Sequence, residues 1–217
     1  MNSAERRRAW AAAGAAAFGS LGSLAIALLI VAVIVGASGF NVPDTAHAVV
    51  EGSFGSIDAF AATLQAAVPL TLIALGFTVA FRAREINIGL EGQAIAGGIA
   101  AVAVAVTLPG WLPDVARLTA VAAAAAAGAL VAGVAVTLQI RRGVNLVIST
   151  FLSNFILALL LSWLVRGPLQ AEGSSLGISE AVPITTSWPH FGSTPLSNDI
   201  LLVPVLIAAL VAFERLS

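Results

Sequence analysis

Six long apolar stretches dominate this sequence and restrict it to one class of fold. They cover residues 15–35, 61–81, 86–108, 118–140, 146–165 and 196–213. An α-helix crosses a bilayer core of about 30 Å with roughly 20 apolar residues. Because backbone groups in lipid must bond to one another, stretches of this length are expected to be helices. The sequence therefore predicts an all-α, polytopic transmembrane helical bundle of about six membrane segments.

The composition agrees with a membrane protein and argues against several other classes. Only 10% of the 217 residues are charged and 59% are hydrophobic, whereas a soluble domain carries roughly 25% charged residues. The net charge of −1 offers no basic surface for nucleic acid. Because the chain has no cysteine, disulfides, iron–sulfur clusters and thiolate zinc sites are excluded.

The arginines predict how the chain is oriented. If the N-terminus is cytoplasmic, eight of the ten basic residues lie on the inner side, and only Arg117 and Arg166 lie on the outer side. In this topology residues 1–14 form a cytoplasmic segment and residues 15–217 form the transmembrane domain. A signal peptide would also start with basic residues, but its apolar core would be about half as long as the first stretch. We therefore expect an uncleaved first membrane helix.

A polar cluster beside the third apolar stretch is the main candidate for function. If this helix begins at Ile86, Asn87 and Glu91 lie one turn apart on the same face, while Gln93 points elsewhere. An ionisable side chain at membrane depth costs about 2.5–3.5 kcal/mol on insertion scales. Glu91 is therefore expected to serve function or helix packing, and the functional interpretation is that this face lines a polar transport pathway.

The structural interpretation of the same cluster needs no solute. Asn87 and Glu91 could instead pair with Arg82 or Arg84, or cap the start of the helix. Three pairs of small residues also have the spacing that lets neighbouring helices approach closely: Gly92/Ala96, Ala94/Gly98 and Ala129/Gly133. The sequence leaves both interpretations open, and they are compatible with each other.

A second polar cluster opens the fifth apolar stretch. Asn145, Ser149 and Ser153 follow a four-residue spacing and form one stripe, and Asn154 lies deeper in the stretch. Hydroxyl groups in membrane helices often bond to their own backbone, which would make the stripe structural. The functional interpretation places Asn145 and Asn154 along a transport pathway, with Asn154 the better single candidate.

The sequence offers no nucleotide-hydrolysing loop, because without lysine it cannot form the Walker-type pattern. A polytopic membrane enzyme would need paired carboxylates or histidines at the membrane surface. The inner surface offers only Glu5, Glu85 and Glu214, without an Asp-rich motif. We therefore expect a non-catalytic chain without metal or cofactor.

Both polar clusters also carry a family resemblance. Residues 81–93 read F-R-A-R-E-I-N-I-G-L-E-G-Q, and residues 143–155 read G-V-N-L-V-I-S-T-F-L-S-N-F. These segments resemble the permease subunits of bacterial ABC importers, in the nucleoside and simple-sugar branch of the ribose/branched-chain amino-acid permease superfamily. Members typically have Gly and Phe where this chain has Arg84 and Ile86, and Glu where it has Leu146. Residues 165–169 are a third, supporting match, and the resemblance covers roughly residues 64–213.

The resemblance implies a function, a location and partners. Such a permease moves nucleosides or simple sugars across the bacterial plasma membrane by alternating access. The implied partners are ABC ATPase subunits, a second permease subunit and an extracytoplasmic substrate-binding lipoprotein. The expected pathway or gating residues are Asn87, Glu91, Gln93, Asn145 and Asn154.

Two points remain open at the level of sequence. In relatives, the sixth helix leads into the cytoplasmic loop that couples to the ATPase, and this sequence stops where that loop would begin. We therefore expect the N-terminal portion of a permease. An ATP-independent secondary transporter is the alternative function, and the presence of an ATPase and a binding lipoprotein in the gene neighbourhood would distinguish the two.

Overall fold

Helices form most of the chain in this computed structural model, which describes residues 21–107, 112–183 and 187–216. The described helices are α1 (Leu21–Ala37), α2 (Val42–Phe54), α3 (Ile57–Arg82), α4 (Leu90–Thr107), α5 (Pro113–Arg142), α6 (Leu146–Val165) and α7 (Leu202–Leu216). A short 3-10 turn, Asn198–Leu201, leads into α7. The described ranges contain two isolated β-bridges but no strand. The predicted all-α fold class is therefore confirmed.

Four of the helices are long and apolar enough to cross a bilayer by themselves: α3, α4, α5 and α6. Helices α1 and α2 meet at a bend of 117° and provide a fifth span only when they are taken together. Helix α7 belongs to a shorter apolar segment. The described residues thus contain four helices that could each cross a membrane, or five candidate spans if the bent pair counts as one. The predicted segment 1–14, the predicted helix start at residue 15 and the predicted helix end at residue 108 lie outside the described residues.

Two helices differ from the sequence prediction because of residues that favour a helix start. Helix α2 forms within an expected outer loop, where the Asn41 side chain accepts the N–H of Asp44 at 3.3 Å. Helix α5 begins at Pro113 rather than at Leu118. Proline is favoured at the first helical position, since the N–H that it lacks would have no partner there.

The chain divides into two compact units, and the division between Phe60 and Ala61 falls inside α3. In the first unit, the Phe54 ring packs near the Phe60 ring with centroids 6.1 Å apart. In the second unit, α4 packs against both α5 and α6. Helix α4 is therefore the central element of the second unit.

Small residues bring α4 and α5 together, although they are not all the predicted ones. A Cβ added to Gly97 would lie 3.1 Å from the carbonyl oxygen of Ala124, and one added to Gly128 would lie 3.3 Å from that of Gln93. The expected close contact through Ala129 and Gly133 does not form among the described residues, because a Cβ on Gly133 would meet nothing there within 4 Å. The small-residue rule therefore holds for this helix pair at a different register.

Helices α3 and α5 end in the same left-handed conformation but with different residues. Gly143 follows α5 with a φ of 65°, and Arg84 follows α3 with a φ of 61°. The N–H of Arg84 donates to the carbonyl oxygen of Phe81 at 3.0 Å, and that of Glu85 donates to Ala80 at 3.0 Å. These two bonds form a Schellman motif, in which the left-handed position is usually glycine. Arg84 is the only non-glycine residue with a positive φ in the described ranges.

We expect exchanges at the two helix ends to change stability in opposite directions. Arg84→Gly should raise the free energy of unfolding by roughly 0.5–1 kcal/mol, because it removes the left-handed strain at the cost of a more flexible unfolded chain. Gly143→Ala should lower it by about 1 kcal/mol, since it introduces that strain. Unfolding of the chain in detergent micelles, followed by circular dichroism, measures both changes.

Gly133→Ala is the matched control for these two exchanges. Gly133 lies inside α5 with open space beside it, so alanine should leave stability unchanged or raise it slightly. A loss of stability in Arg84→Gly would contradict the assignment of strain to Arg84.

Candidate functional site

The segment before α4 is a turn and does not continue the helix as predicted. Residues 85–88 have no regular secondary structure, and α4 begins at Leu90. The side-chain Oδ1 of Asn87 accepts the N–H of Gly89 at 2.9 Å and the Nε2 amide of Gln93 at 3.3 Å. An asparagine that bonds to the backbone two residues further on competes with helix formation, which explains the later start. The prediction that Asn87 and Glu91 share a helical face is therefore wrong. We call residues 87–92, which comprise this turn and the first three residues of α4, the polar turn.

Both the oxygen and the nitrogen of the Asn154 side-chain amide, on α6, form hydrogen bonds with the polar turn. Its Oδ1 accepts the N–H of Gly92 at 2.8 Å, and its Nδ2 donates to the carbonyl oxygen of Ile88 at 3.0 Å. The N–H of Gly92 is among the first of α4, and these groups have no partner within their own helix. Asn154 thus acts as a helix cap that is supplied by a different helix.

Thr150 makes a second link between α6 and the polar turn. Its hydroxyl accepts the N–H of Ile88 at 3.3 Å and donates to the carbonyl oxygen of Leu146 at 2.8 Å. The residue is only 2% exposed. A Cβ added to Gly89 would lie 2.7 Å from the Thr150 carbonyl oxygen and 3.0 Å from the Ser153 hydroxyl. Glycine at position 89 is therefore needed for α6 to come this close.

Gly92, in the first turn of α4, is also needed for α6 to approach closely. A Cβ at this position would lie 2.9 Å from the Oδ1 of Asn154. Gly92 and Ala96 are both buried, as expected for a pair of small residues at a helix contact. The Ala94/Gly98 pair, in contrast, is exposed. The two sequence motifs around residues 87–93 and 145–154 are thus in direct contact.

The remaining polar residues of α6 bond to their own helix. Asn145 caps the start of α6, where its Oδ1 accepts the N–H of Val147 at 2.9 Å and of Ile148 at 3.3 Å. The hydroxyls of Ser149 and Ser153 both donate to carbonyl oxygens of α6. These bonds account for the predicted stripe by packing and capping alone, and its role in a pathway stays a prediction.

Two of the predicted site residues, Glu91 and Gln93, lie in the first turns of α4. Glu91 is exposed in the first turn of α4, where a negative charge is favourable. Gln93 lines an open cavity of about 330 Å³ between α3, α4 and α5. The other lining residues are Pro69, Leu72, Ile73, Leu90, Ala94, Gly97, Gly98 and Ala124. The cavity thus combines an apolar lining with one amide.

A polar cluster that the sequence analysis missed joins α3 to the turn before α7. The Nε2 of Gln65 donates to both carboxylate oxygens of Asp199 at 3.1 Å, and its Oε1 accepts the N–H of Ser197 at 2.9 Å. The Ser197 hydroxyl also donates to Asp199. Gln65 is the only amide side chain in the second apolar stretch, and this isolated polar residue could have indicated a buried hydrogen-bond partner.

Six arginines lie at one end or the other of helices α3 to α6. Arg82, Arg84, Arg141 and Arg142 lie at the end shared by the α3–α4 and α5–α6 connections, and Arg117 and Arg166 lie at the other end. At that other end, the Nη1 of Arg117 contacts the Oδ1 of Asp114 at 2.6 Å, and its Nε donates to the carbonyl oxygen of Ser187 at 2.9 Å. No group of three His, Asp or Glu residues in the described ranges could hold a metal ion.

Comparison with known proteins identifies similar chains. The family model described as "Branched-chain amino acid transport system / permease component" matches residues 59–216. The glucose ABC transporter permease protein TsgB13 of Haloferax volcanii is 38% identical over 157 residues, which are 67% of this chain and 40% of that protein.

Two further relatives have similar descriptions. The guanosine ABC transporter permease protein NupP of Bacillus subtilis is 33% identical over 147 residues, covering 67% of this chain and 42% of its own length. The nucleoside ABC transporter permease protein NupB of Lactococcus lactis is 29% identical over 197 residues, covering 86% of this chain and 52% of its own length. The chain thus spans about half the length of these relatives or less. No solved structure matches the chain.

We expect Gly92→Ala to disrupt the contact between α4 and α6. The added methyl group would overlap the Oδ1 of Asn154, and overpacking of this kind costs about 1–3 kcal/mol. The free energy of unfolding in detergent should fall by that amount. Gly98→Ala is the control in the same helix, since a Cβ there meets nothing within 4 Å. Equal effects of the two substitutions would contradict the proposed contact.

Proposed function

Because the chain belongs to the branched-chain amino acid transport system / permease component family, we propose that it works as the permease subunit of an ABC importer for nucleosides or simple sugars. The match of the family model over residues 59–216 is the observation that carries the proposal, since this range includes the polar turn and α6. The relatives whose names mention glucose, guanosine and nucleosides support the choice of solutes. These solutes share several hydroxyl groups.

The proposal assigns a location and partners to the chain. It is a multi-pass protein of the plasma membrane, with the end that carries Arg82, Arg84, Arg141 and Arg142 in the cytoplasm. ATP-binding subunits hydrolyse ATP, a second permease subunit completes the passage, and an extracytoplasmic binding lipoprotein delivers the solute. The chain itself does no chemistry on the solute.

Within this proposal the predicted site residues have two different roles. Glu91 and Gln93 contact the solute, since one is exposed and the other lines the cavity between α3 and α4. Asn87 orients the Gln93 amide through its hydrogen bond at 3.3 Å. Asn145 and Asn154 position the backbone, because their side chains cap helix starts. An amide in an otherwise apolar cavity, with an exposed carboxylate on the same helix, suits a neutral solute with several hydroxyl groups.

We expect Gln93→Leu to lower solute uptake by the assembled transporter. Losing one hydrogen-bonding group that faces the solute should reduce kcat/KM by about tenfold, which corresponds to about 1.4 kcal/mol. Uptake of labelled nucleosides and sugars, in cells that carry the complete operon, measures this change. Thr78→Val is the control, since the Thr78 hydroxyl donates to a carbonyl oxygen of its own helix.

A knockout of the permease gene tests the function as a whole. The proposal predicts that uptake of at least one nucleoside or sugar is lost in the knockout and restored by the native gene. If uptake of every such solute survives the knockout, the proposed function is wrong.

A further inference from the structure

The turn between α1 and α2 changes the direction of the chain through its own sequence. Gly39 follows α1 with a φ of 84°, and its N–H donates to the carbonyl oxygen of Gly36 at 3.0 Å. The N–H of Phe40 donates to that of Val35 at 3.2 Å. These two bonds form a Schellman motif, which ends α1. Asn41 then caps α2, and the two helices meet at 117°.

A bend of this size turns α2 away from the direction in which α1 crosses the membrane. The described part of α1 rises about 25 Å at 1.5 Å per residue, close to the thickness of a bilayer core of about 30 Å. If α1 follows the membrane normal, a helix at 117° to it lies nearer to the membrane plane than to the normal. Helix α2 has 13 residues, so it is about 20 Å long and advances less than half of that along the normal. It is therefore placed to lie along a membrane surface.

The side chains of α2 divide into an apolar side and an ionisable side. Four apolar residues follow one another at four-residue spacing along the apolar side: Val42, Ala46, Val50 and Phe54. Three residues at three- and four-residue spacing form the ionisable side: Asp44, His47 and Glu51. No residue of α2 is buried, and Val50 and Phe54 are 61% and 64% exposed. A helix with two such sides is typical of the boundary between lipid and water.

We propose that α2 is an interfacial helix, which lies along a membrane surface with its apolar side in lipid and its ionisable side in water. The apolar side is continuous along the chain with other exposed apolar residues. Phe40 precedes α2 and is 69% exposed, and Ile57 begins the membrane-spanning helix α3 and is 79% exposed. The inference goes beyond the proposed function, since it concerns the lipid that the chain contacts and not the solute.

The charges of α2 indicate which contacts hold it to the lipid. Interfacial helices that recognise anionic lipids are rich in Lys and Arg. Residues 42–54 contain neither, and their ionisable side carries the carboxylates of Asp44 and Glu51. Attraction to anionic headgroups therefore contributes nothing, and burial of the apolar side chains holds the helix. A zwitterionic lipid surface is the partner that fits this helix.

Spin labels on single cysteines test the position of α2. The chain has no cysteine, so each label has one known place. In nanodiscs of phosphatidylcholine, labels at Ala46→Cys and Val50→Cys should collide mainly with molecular oxygen, which concentrates in lipid. A label at Glu51→Cys should collide mainly with a water-soluble nickel complex. Leu70→Cys, at an exposed position inside α3, is the lipid reference, and Glu172→Cys, at an exposed position outside the helices, is the water reference.

A pair of aspartate variants tests the contribution of the apolar side. With the label at Ala46→Cys, Val50→Asp should abolish the preference for oxygen, because a carboxylate is unfavourable in lipid. His47→Asp places the same side chain on the ionisable side and should leave that preference unchanged. Replacing part of the phosphatidylcholine with anionic phosphatidylglycerol should not increase the oxygen collisions at Val50→Cys, since α2 has no Lys or Arg to attract it.

Four results would overturn the inference. Equal access of the nickel complex to Val50→Cys and Glu51→Cys would show that α2 lies in water. Low access of both reagents to Val50→Cys would show that protein covers the apolar side. An oxygen preference at Glu51→Cys as strong as at Leu70→Cys would show that α1 and α2 form one broken span. A rise in oxygen collisions at Val50→Cys with phosphatidylglycerol would show that charge attraction holds the helix.

Discussion

The start of α4 sets the requirement that organises the second unit of the chain. The first N–H groups of a helix have no partner in that helix, and a buried group of this kind costs about 1–3 kcal/mol when it stays unpaired. Helix α6 meets this requirement with Asn154 and Thr150, which bond to Gly92 and Ile88 of the polar turn. The contact needs glycine at positions 89 and 92, because a Cβ at either would overlap α6. Helix packing and backbone capping are thus the same interaction.

This interaction gives the polar residues different roles. Asn87, Asn145 and Asn154 all bond to backbone N–H groups, so their side chains fix where helices start. Glu91 is exposed in the first turn of α4 and Gln93 lines the cavity, and under the proposed function these two side chains contact the solute. Any rearrangement that separates α4 from α6 must break the bonds of Asn154. We therefore expect α4 and α6 to move together in any change of conformation.

The sequence predicted the helices well because the bilayer imposes a length and a hydropathy that can be read locally. It failed at the start of the third predicted helix, where the Asn87 side chain competes for the backbone of Gly89. It also missed the role of Asn154, whose partner Gly92 is 62 positions away, and the link between Gln65 and Asp199, 134 positions apart. Contacts of this length depend on how helices pack, and apolar periodicity alone does not determine that.

Hydrogen exchange at the polar turn tests the central claim most directly. In the native chain, reconstituted in lipid nanodiscs, the amide of Gly92 should exchange slowly because its N–H donates a hydrogen bond to the Oδ1 of Asn154. Asn154→Ala should speed this exchange by about tenfold or more, since one hydrogen bond is lost. Peptides from the middle of α5 should exchange at the native rate. Equal exchange at Gly92 in the native chain and in Asn154→Ala would contradict the account.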